Sequence, residues 1–467
     1  MINLKKDPVT PQLLTIPAYM GLKMVNHMEL EKLIKNREAK TAIIGMGYVG
    51  LPHALEIARA GMMVYGIDIQ QKRVDQLNAG RSYIQDVKDD DIIEIIDANR
   101  FTATTNFAIL LEADVVIICV PTPLDKNKVP NISYIMSSTS EVKKYLHPGQ
   151  MIILESTTYP GTTDEVILPM LESTGLCVGK DFYLAFAPER IDPGNKMPLN
   201  EVPKVVGGIT AECTKLATLF YSQFLEHVHP VSSPRTAEMT KILENTYRLI
   251  NISAINELAM LAGKMNVDIW EVIEAAKTKP YGFQAFYPSP KIGGHCIPLD
   301  PFYLSWKAKE YNFWARFIEL AGEINEQMPY YVVSKTIYAL NGATKAVNGS
   351  KILIWGIAYK KDINDVRESA ATDVISNLLR KGAIVDYFDP YIPEFRIAAG
   401  NFMLDNKEPV LIRSIQNGMK AARDYDAIII LCDHSGFDYE ELANLAPIII
   451  DTRNAIKSRN HLNVFHF

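Results

Sequence analysis

The sequence predicts an α/β protein: two Rossmann-like, doubly wound domains joined by a helical central domain with a long linker helix. Three observations carry this. A short apolar run, Ala42 to Ile44, opens into Gly45-x-Gly47-x-x-Gly50 and then a helical pattern. From Arg235 to Met265 there is no proline and only one glycine, with apolar residues at helical spacing. At Lys351 a second strand–turn–helix unit begins.

Bulk properties narrow the function before any motif is read. The chain has 467 residues, enough for two to four domains. A net charge of −6 gives no reason to expect nucleic acid as a partner. Cysteines 119, 177, 213, 296 and 432 form neither a CxxC pair nor a disulfide framework, so a reducing, cytoplasmic setting is expected. No apolar run is long enough to span a bilayer, and the first residues lack a signal peptide's apolar region. Residues 1–37 read as an N-terminal extension with a short polar helix, Met28 to Glu38.

The first unit is strand, glycine turn, helix (Leu51 to Ala60), then a second strand (Met62 to Ile67) ending at Asp68. In that context the glycines have separate duties. Gly45 permits the tight turn, Gly47 lets a pyrophosphate approach the backbone, and Gly50 lets helix and strand pack closely. Gly45, Gly47, Tyr48, Val49 and Gly50 are therefore cofactor-binding candidates. Asp68 would bond ribose hydroxyls and repel a 2′-phosphate, which favours NAD over NADP. Two further buried strands, Asp114 to Val120 and Met151 to Leu154, end at Thr122 and at Glu155-Ser156-Thr157. Both ends belong at the carboxyl edge of the sheet, where such folds bind ligands, so Thr122 and Thr157 join the candidates. Phe182 to Phe186 leads to Glu189-Arg190 at a strand-to-loop junction. Glu189 there is either an acid/base or a surface salt-bridge carboxylate.

The long helix shows apolar Met239, Ile242, Leu243, Ile250, Ala254, Leu258 and Leu261. A helix from Arg235 to Met265 would run roughly 45 Å and suits a domain link or a subunit interface. Lys241 and Asn245 share a face, with Glu238 beside them. That face is either solvated, with a Glu–Lys contact, or an ammonium and an amide aimed into an active site. The loop after Lys279 is rich in aromatics, glycine and proline, suited to wrapping a ligand with Phe286 and Tyr287. It ends in Gly293-Gly294-His295-Cys296. Asp300-Pro301 then reads as an N-cap followed by proline at the first helical position. Cys296 on this restrained loop is either a nucleophile or a small buried turn residue. His295 as its base is disfavoured, because neighbours in extended chain face opposite ways. Helices are expected from Pro301 to Tyr311 and from Trp314 to about Met328. In the last unit, strands are expected at Lys351 to Trp355, Ile384 to Phe388, Ala427 to Leu431 and Ile448 to Ile450. Its first turn has only Gly356, so a nucleotide diphosphate of another kind is expected there, near Lys360, Lys361 and Arg367. The expected domains are 38–234 (NAD binding), 235–335 (central, with the cysteine loop) and 336–467 (the second nucleotide).

Together these residues resemble the UDP-sugar 6-dehydrogenase family from about Lys40 to Asn454. The motifs are GMGYVG, VPTPLD, ESTTYPGTT, APER, KILENTYR, GGHCIPLDP and GIAYKKDINDVRES. The cysteine segment looks most like the UDP-N-acetylglucosamine 6-dehydrogenases. UDP-glucose enzymes typically carry a lysine-aspartate pair after the cysteine, whereas here Leu299 precedes Asp300. They often carry a second glutamate four positions after the first, where this chain has Pro193. The resemblance implies Cys296 as nucleophile, Lys241, Asn245 and Asp300 around the reacting carbon, Glu189 as acid/base and Thr122 near substrate and nicotinamide. It implies Arg73 beside Asp68 at the adenosine ribose, Arg367 at the NAD pyrophosphate and Lys360 at the UDP moiety. Glu189, Arg190, Lys241, Asn245, Phe286, Tyr287, Gly293, Gly294 and Lys360 are thus the substrate-binding candidates, and no metal is expected. The expected reaction is NAD-dependent four-electron oxidation of UDP-N-acetylglucosamine at C6, for surface polysaccharide or lipopolysaccharide synthesis. UDP-N-acetylmannosamine and UDP-glucose are the near alternatives, and an NAD-dependent UDP-sugar epimerase is the alternative of another class. A homodimer or larger homo-oligomer is expected, without membrane or nucleic-acid partners.

Overall fold

The computed structural model describes residues 27–84, 87–125, 127–190, 198–294, 296–398 and 408–467. His295 and Pro193, and with them the question of a Cys–His dyad, lie outside the described residues.

The first sheet has eight strands. They are β1 (Thr41–Ile44), β2 (Val64–Ile67), β3 (Phe101–Thr104), β4 (Val115–Ile118), β5 (Met151–Leu154), β6 (Tyr183–Phe186), β7 (Lys204–Gly208) and β8 (Val228–Val231). Their spatial order is β3-β2-β1-β4-β5-β6-β7-β8, parallel except between β6 and β7. β1, β2, β4, β5 and β6 are buried along their whole length, as parallel strands covered on both faces must be. Strand order reverses between β1 and β4, so the ligand cleft lies outside their carboxyl ends. The sequence hides β3, β7 and β8: β3 alternates, β7 begins with a lysine, and β8 contains Pro230, tolerated because β8 is an edge strand.

The second sheet repeats the plan with β9 (Lys351–Trp355), β10 (Ile384–Phe388), β13 (Ala427–Ile430), β14 (Ile449–Asp451) and β15 (Val464–His466), in the order β10-β9-β13-β14-β15 and fully parallel. A small antiparallel pair, β11 (Glu394–Ile397) and β12 (Val410–Arg413), is attached. The echo between the two sheets reaches atomic detail. Gly45 (φ +101°) and Gly356 (φ +74°) turn the chain after β1 and β9. A Cβ on either would lie 2.4 Å from a cysteine carbonyl oxygen, of Cys119 or of Cys432. Only glycine fits both the backbone angle and the approach.

Helix α1 (His27–Lys35) starts one residue before the expected span and ends three residues before its end, with Leu30 and Ile34 fully buried. Helix α2 (Gly50–Arg59) follows the Gly45 turn. The linker helix α3 (Pro234–Met265) is a single helix of 32 residues, capped by Ser233, whose hydroxyl accepts from Thr236 N. Its buried face is mixed, with Ala237, Ile242, Leu249 and Ala259 fully buried among polar side chains. Glu238, Lys241, Asn245, Ser253 and Asn256 are buried, while Met239, Leu243, Tyr247, Leu258 and Leu261 are exposed. The solvated reading of the Glu238–Lys241–Asn245 face is therefore corrected. Glu238 does not pair with Lys241. Its carboxylate accepts from Gly161 N (2.6 Å), Thr163 N (2.9 Å) and the Thr163 hydroxyl (2.7 Å). Burial pushes it up to about 7 against those three donors.

Two more helix boundaries differ from expectation. Helix α4 (Asp300–Ala308) begins at Asp300 itself, with Leu299 in the cap position, so Asp300 does not cap; its side chain is held by α3 instead. Helix α5 runs from Arg316 to Gly342 straight through Pro329, where the sequence suggests a stop near Met328. An internal proline costs about 3 kcal/mol. Ile318, Ala321, Ile324 and Met328 before it and Val332, Val333, Ala339 and Leu340 after it are all buried, and this packing outweighs the penalty. The junction expected at 335 and 336 thus lies inside a helix. Among the described residues no helix is long and apolar enough to cross a membrane.

Candidate active site

The cysteine loop is clamped from several sides. Lys291 Nζ reaches Asp373 (2.7 Å) and Glu326 (3.2 Å), and Ile292 exchanges hydrogen bonds with the Asn325 amide. Gly294 N donates to Arg367 O at 3.0 Å. The Gly293-Gly294 pair serves a close approach, but by the protein itself. A Cβ at either glycine would lie within 3 Å of Tyr359, which rises from the turn after β9. Gly294 also has φ +84°. Cys296 follows, half-buried, its carbonyl accepting from Asp300 N at 2.9 Å.

Asp300 is fully buried. Asn245 Nδ2 donates to its Oδ2 at 2.7 Å, while its Oδ1 is buried without a hydrogen-bond partner among the described residues. Burial pushes this carboxyl up to about 7, against the pull of the Lys241 charge. Lys241 Nζ donates to Glu189 O at 2.6 Å. Tyr303, one turn into α4, donates its phenol to Thr122 O and lies within electrostatic reach of Asp300 and Cys296. Thr122, Glu189, Lys241, Asn245, Cys296 and Asp300 are thereby joined through side chains and backbone into one neighbourhood, although they come from β-strand ends, α3 and the cysteine loop.

Glu189 has a second set of neighbours that sequence reasoning missed. Its Oε2 lies 2.6 Å from His53 Nε2 and accepts from Lys204 Nζ at 2.8 Å, and its Oε1 accepts from Arg190 N at 2.6 Å. His53 Nδ1 lies 2.7 Å from Glu155 Oε2, and Lys204 reaches Glu155 Oε1 at 3.2 Å. All four side chains are buried. Burial would raise both carboxyls, but Lys204 and His53 hold Glu189 well below its ordinary range and Glu155 below it too. His53, Glu155 and Glu189 have metal-ligand spacing. The two His53 nitrogens, however, face different carboxylates across the ring, and Lys204 supplies the countercharge. The one signal for His53 in the sequence was a polar residue amid the apolar face of Leu51, Ala54 and Leu55.

Other candidates are committed elsewhere. The Arg190 guanidinium pairs with Glu244 (2.6 and 3.2 Å) and donates to Pro203 O. Phe286 packs edge-on against Tyr247, and Tyr287 stacks on Trp270 and donates to Glu274. Lys360 is half-buried in the turn after β9.

The dinucleotide turn fits its ligand. A Cβ on Gly50 would lie 2.0 Å from Gly45 O, whereas one on Gly47 would meet nothing within 4 Å. Gly47 thus needs no glycine for packing; its bare backbone leaves a cradle that a Cβ would fill. Asp68 closes β2, its carboxylate accepting from Gln70 N (2.9 Å), Met46 N (3.3 Å) and Arg73 (3.3 Å). The Arg367 guanidinium lies 5.3 Å from the Tyr48 ring centre, so a residue of the last unit overhangs the turn of the first. Thr157 is half-buried beyond β5.

A dinucleotide-type glycine turn and a thiol on a clamped loop are the parts of a nucleotide-dependent oxidoreductase, and sequence comparison agrees. Family models of the UDP-glucose/GDP-mannose dehydrogenases match the NAD binding domain over 39–225, the central domain over 235–327 and the UDP binding domain over 353–458. The chain belongs to this family and is an NAD-dependent UDP-sugar dehydrogenase. It is 35% identical to the UDP-N-acetyl-D-glucosamine 6-dehydrogenase of Pseudomonas aeruginosa over 405 residues, 86% of this chain and 92% of that one. It is 33% identical to the UDP-N-acetyl-D-mannosamine dehydrogenase of Methanocaldococcus jannaschii over 441 residues, 91% and 95% of the two chains. The UDP-D-ManNAc dehydrogenase structure from Pyrococcus horikoshii superposes with a TM-score of 0.80 at 30% identity, over 91% of this chain and 98% of that one.

Proposed function

We propose that this chain oxidises UDP-N-acetylglucosamine at C6 to the uronate, in two two-electron steps with Cys296 as nucleophile. The observation that carries this is the buried, unpartnered Oδ1 of Asp300 beside Lys241 and Asn245, on the helix that follows Cys296. An orphaned buried carboxylate oxygen is costly in a folded protein, and a substrate hydroxyl or a water would satisfy it. Relatives that act on N-acetylhexosamines support the substrate class.

The chain's groups divide the work as follows. Gly45, Gly47, Tyr48, Val49, Gly50, Asp68, Arg73, Thr157 and Arg367 hold NAD, which accepts the hydride at each oxidation. Asp300 takes the alcohol proton in the first oxidation. The Cys296 sulfur then adds to the aldehyde carbon, its proton passing to the oxygen, to give a thiohemiacetal. Loss of a hydride and a proton converts this to a thioester. Water cleaves the C–S bond, returning the thiol and releasing the carboxylate. Lys241 and Asn245 stabilise the oxyanions. Glu189 and Asp300 are two carboxyls whose environments push their proton affinities apart, the pattern that separates a fixed charge from a proton carrier. In this reading Asp300 exchanges the proton and Glu189 stays ionised, offering its carbonyl to Lys241. Lys360 and the turn after β9 take the UDP moiety.

A panel of UDP-sugars with NAD or NADP tests this, following reduced cofactor by absorbance and products by mass. UDP-N-acetylglucosamine should give two NADH per uronate, with NADP much poorer because of Asp68. Faster turnover of UDP-N-acetylmannosamine or UDP-glucose would move the substrate. An epimer without net NADH would make the chain an epimerase.

The same reading has the chain at least dimeric. The exposed apolar side of α3, with Leu243 59% exposed and Leu261 51%, suits a second copy. Light scattering at micromolar concentration should give a dimer or larger; a monomer would remove the idea.

A further inference from the structure

His53 sits on α2, the helix that follows the dinucleotide turn, and is 1% exposed. Its two nitrogens lie 2.7 and 2.6 Å from carboxylates that come from the ends of two different strands. The carboxylates are off the ideal N–H directions, so these are ion-pair contacts rather than well-aimed hydrogen bonds. At such separations a carboxylate oxygen attracts a protonated ring nitrogen and repels a bare one, so both nitrogens carry hydrogen. Charge counting agrees. Glu155 and Glu189 balance Lys204 and a charged His53. A neutral ring would leave one buried negative charge uncompensated, which is strongly destabilising. The remaining groups facing this cluster are Cys119 and Tyr221, which both donate to Glu155, and Glu56 on α2. Burial pushes the imidazolium down, but Glu155 and then Glu189 outweigh it, against Lys204, and carry it up to about 9.

We propose that His53 is a positioning residue for the reaction, tying α2 to the Glu189 peptide whose carbonyl oxygen holds the Lys241 ammonium. This rests on the reading of Lys241 given above. The chain of contacts is continuous: ring to Glu189 carboxylate, Glu189 carbonyl to Lys241 Nζ. Since α2 starts at the phosphate-binding turn, His53 fixes Lys241 relative to the cofactor. Without its charge, Glu189 would take up a proton more readily, and the grip on its peptide would loosen.

The test is His53→Gln, which keeps the polar shape and drops the charge, assayed with the UDP-sugar the parent oxidises fastest. We expect kcat to fall by about tenfold or more while KM for UDP-sugar and NAD stays within about threefold. The deficit should deepen from pH 8 to pH 6 as Glu189 takes up its proton. His53→Gln combined with Glu155→Gln restores the charge balance and should recover most of kcat. Parental kcat and pH profile in His53→Gln, or no recovery in the double variant, would overturn the proposal. If His53→Gln does not fold, the parent itself decides. Its ¹⁵N-histidine spectrum at pH 8 should show His53 protonated on both nitrogens, and a neutral His53 ring would overturn the proposal. A parent that turns over no UDP-sugar would fail the functional reading instead, with the ring's protonation still measured.

Discussion

Cys296→Ala should lower uronate formation by about a thousandfold or more while leaving the first oxidation measurable. The two oxidations depend unequally on the thiol. In the first, the alcohol oxygen loses its proton to a base and the carbon loses hydride, with no sulfur involved. In the second, the aldehyde carbon cannot release hydride usefully until something adds to it. In the parent that adduct is the thiohemiacetal, so each uronate should come with two NADH and little free aldehyde. In Cys296→Ala both ligands still bind, because Lys291, Ile292 and Gly294 clamp the loop independently of the sulfur. Further oxidation then waits for slow hydration of the aldehyde. Rapid mixing with excess NAD and an aldehyde trap should show about one NADH per site and trapped aldehyde. Uronate at near parental rate would make Cys296 a turn residue only.

Asp300→Asn should cost about 100-fold in kcat and, above neutral pH, make the protein more stable. The rate loss is what a positioned acid–base group contributes. The stability gain follows from the burial that raises Asp300 from its ordinary 3.8 to about 7. Between those values the unfolded chain has released the proton and the folded protein still holds it. Raising the pH therefore penalises folding progressively through this window, and the full penalty is present above about 7. The displacement corresponds to at most about 4 kcal/mol. Asparagine has no charge to bury and can still accept from Asn245. Denaturant unfolding at pH 4.5 and pH 8 should show the gain growing with pH. The parent's kcat/KM should rise through about pH 7, and that limb should vanish in the variant. An unchanged rate would sink Asp300 as the proton carrier, and a gain that shrinks with pH would sink the burial argument.

What the sequence determined by itself was local. Gly45, Gly47, Gly50 and Asp68 announce a dinucleotide turn because the constraint acts within one strand–turn–helix unit. β5, β9 and β10 were legible to the residue because short segments rich in β-branched, aromatic and other apolar residues need no partner to be read. The GGHC loop and the Lys241–Asn245 pair were legible because tight turns and helical spacing are set by adjacent residues. What only the tertiary structure decided was which groups meet once the strands are ordered. Helix α3 buries Glu238 and Asn245 among its apolar residues, since Glu238 finds the Gly161 loop and Asn245 finds Asp300, partners far away in the chain. Pro329 stays inside a helix because both flanking turns are buried. His53, Glu155, Glu189 and Lys204 come from α2 and the ends of β5, β6 and β7; the sequence marks only Glu189 among them as an acid/base candidate, and nothing local places the other three beside it. A buried charge is tolerable only where its counter-charge arrives, and that depends on strand order, which no local pattern encodes.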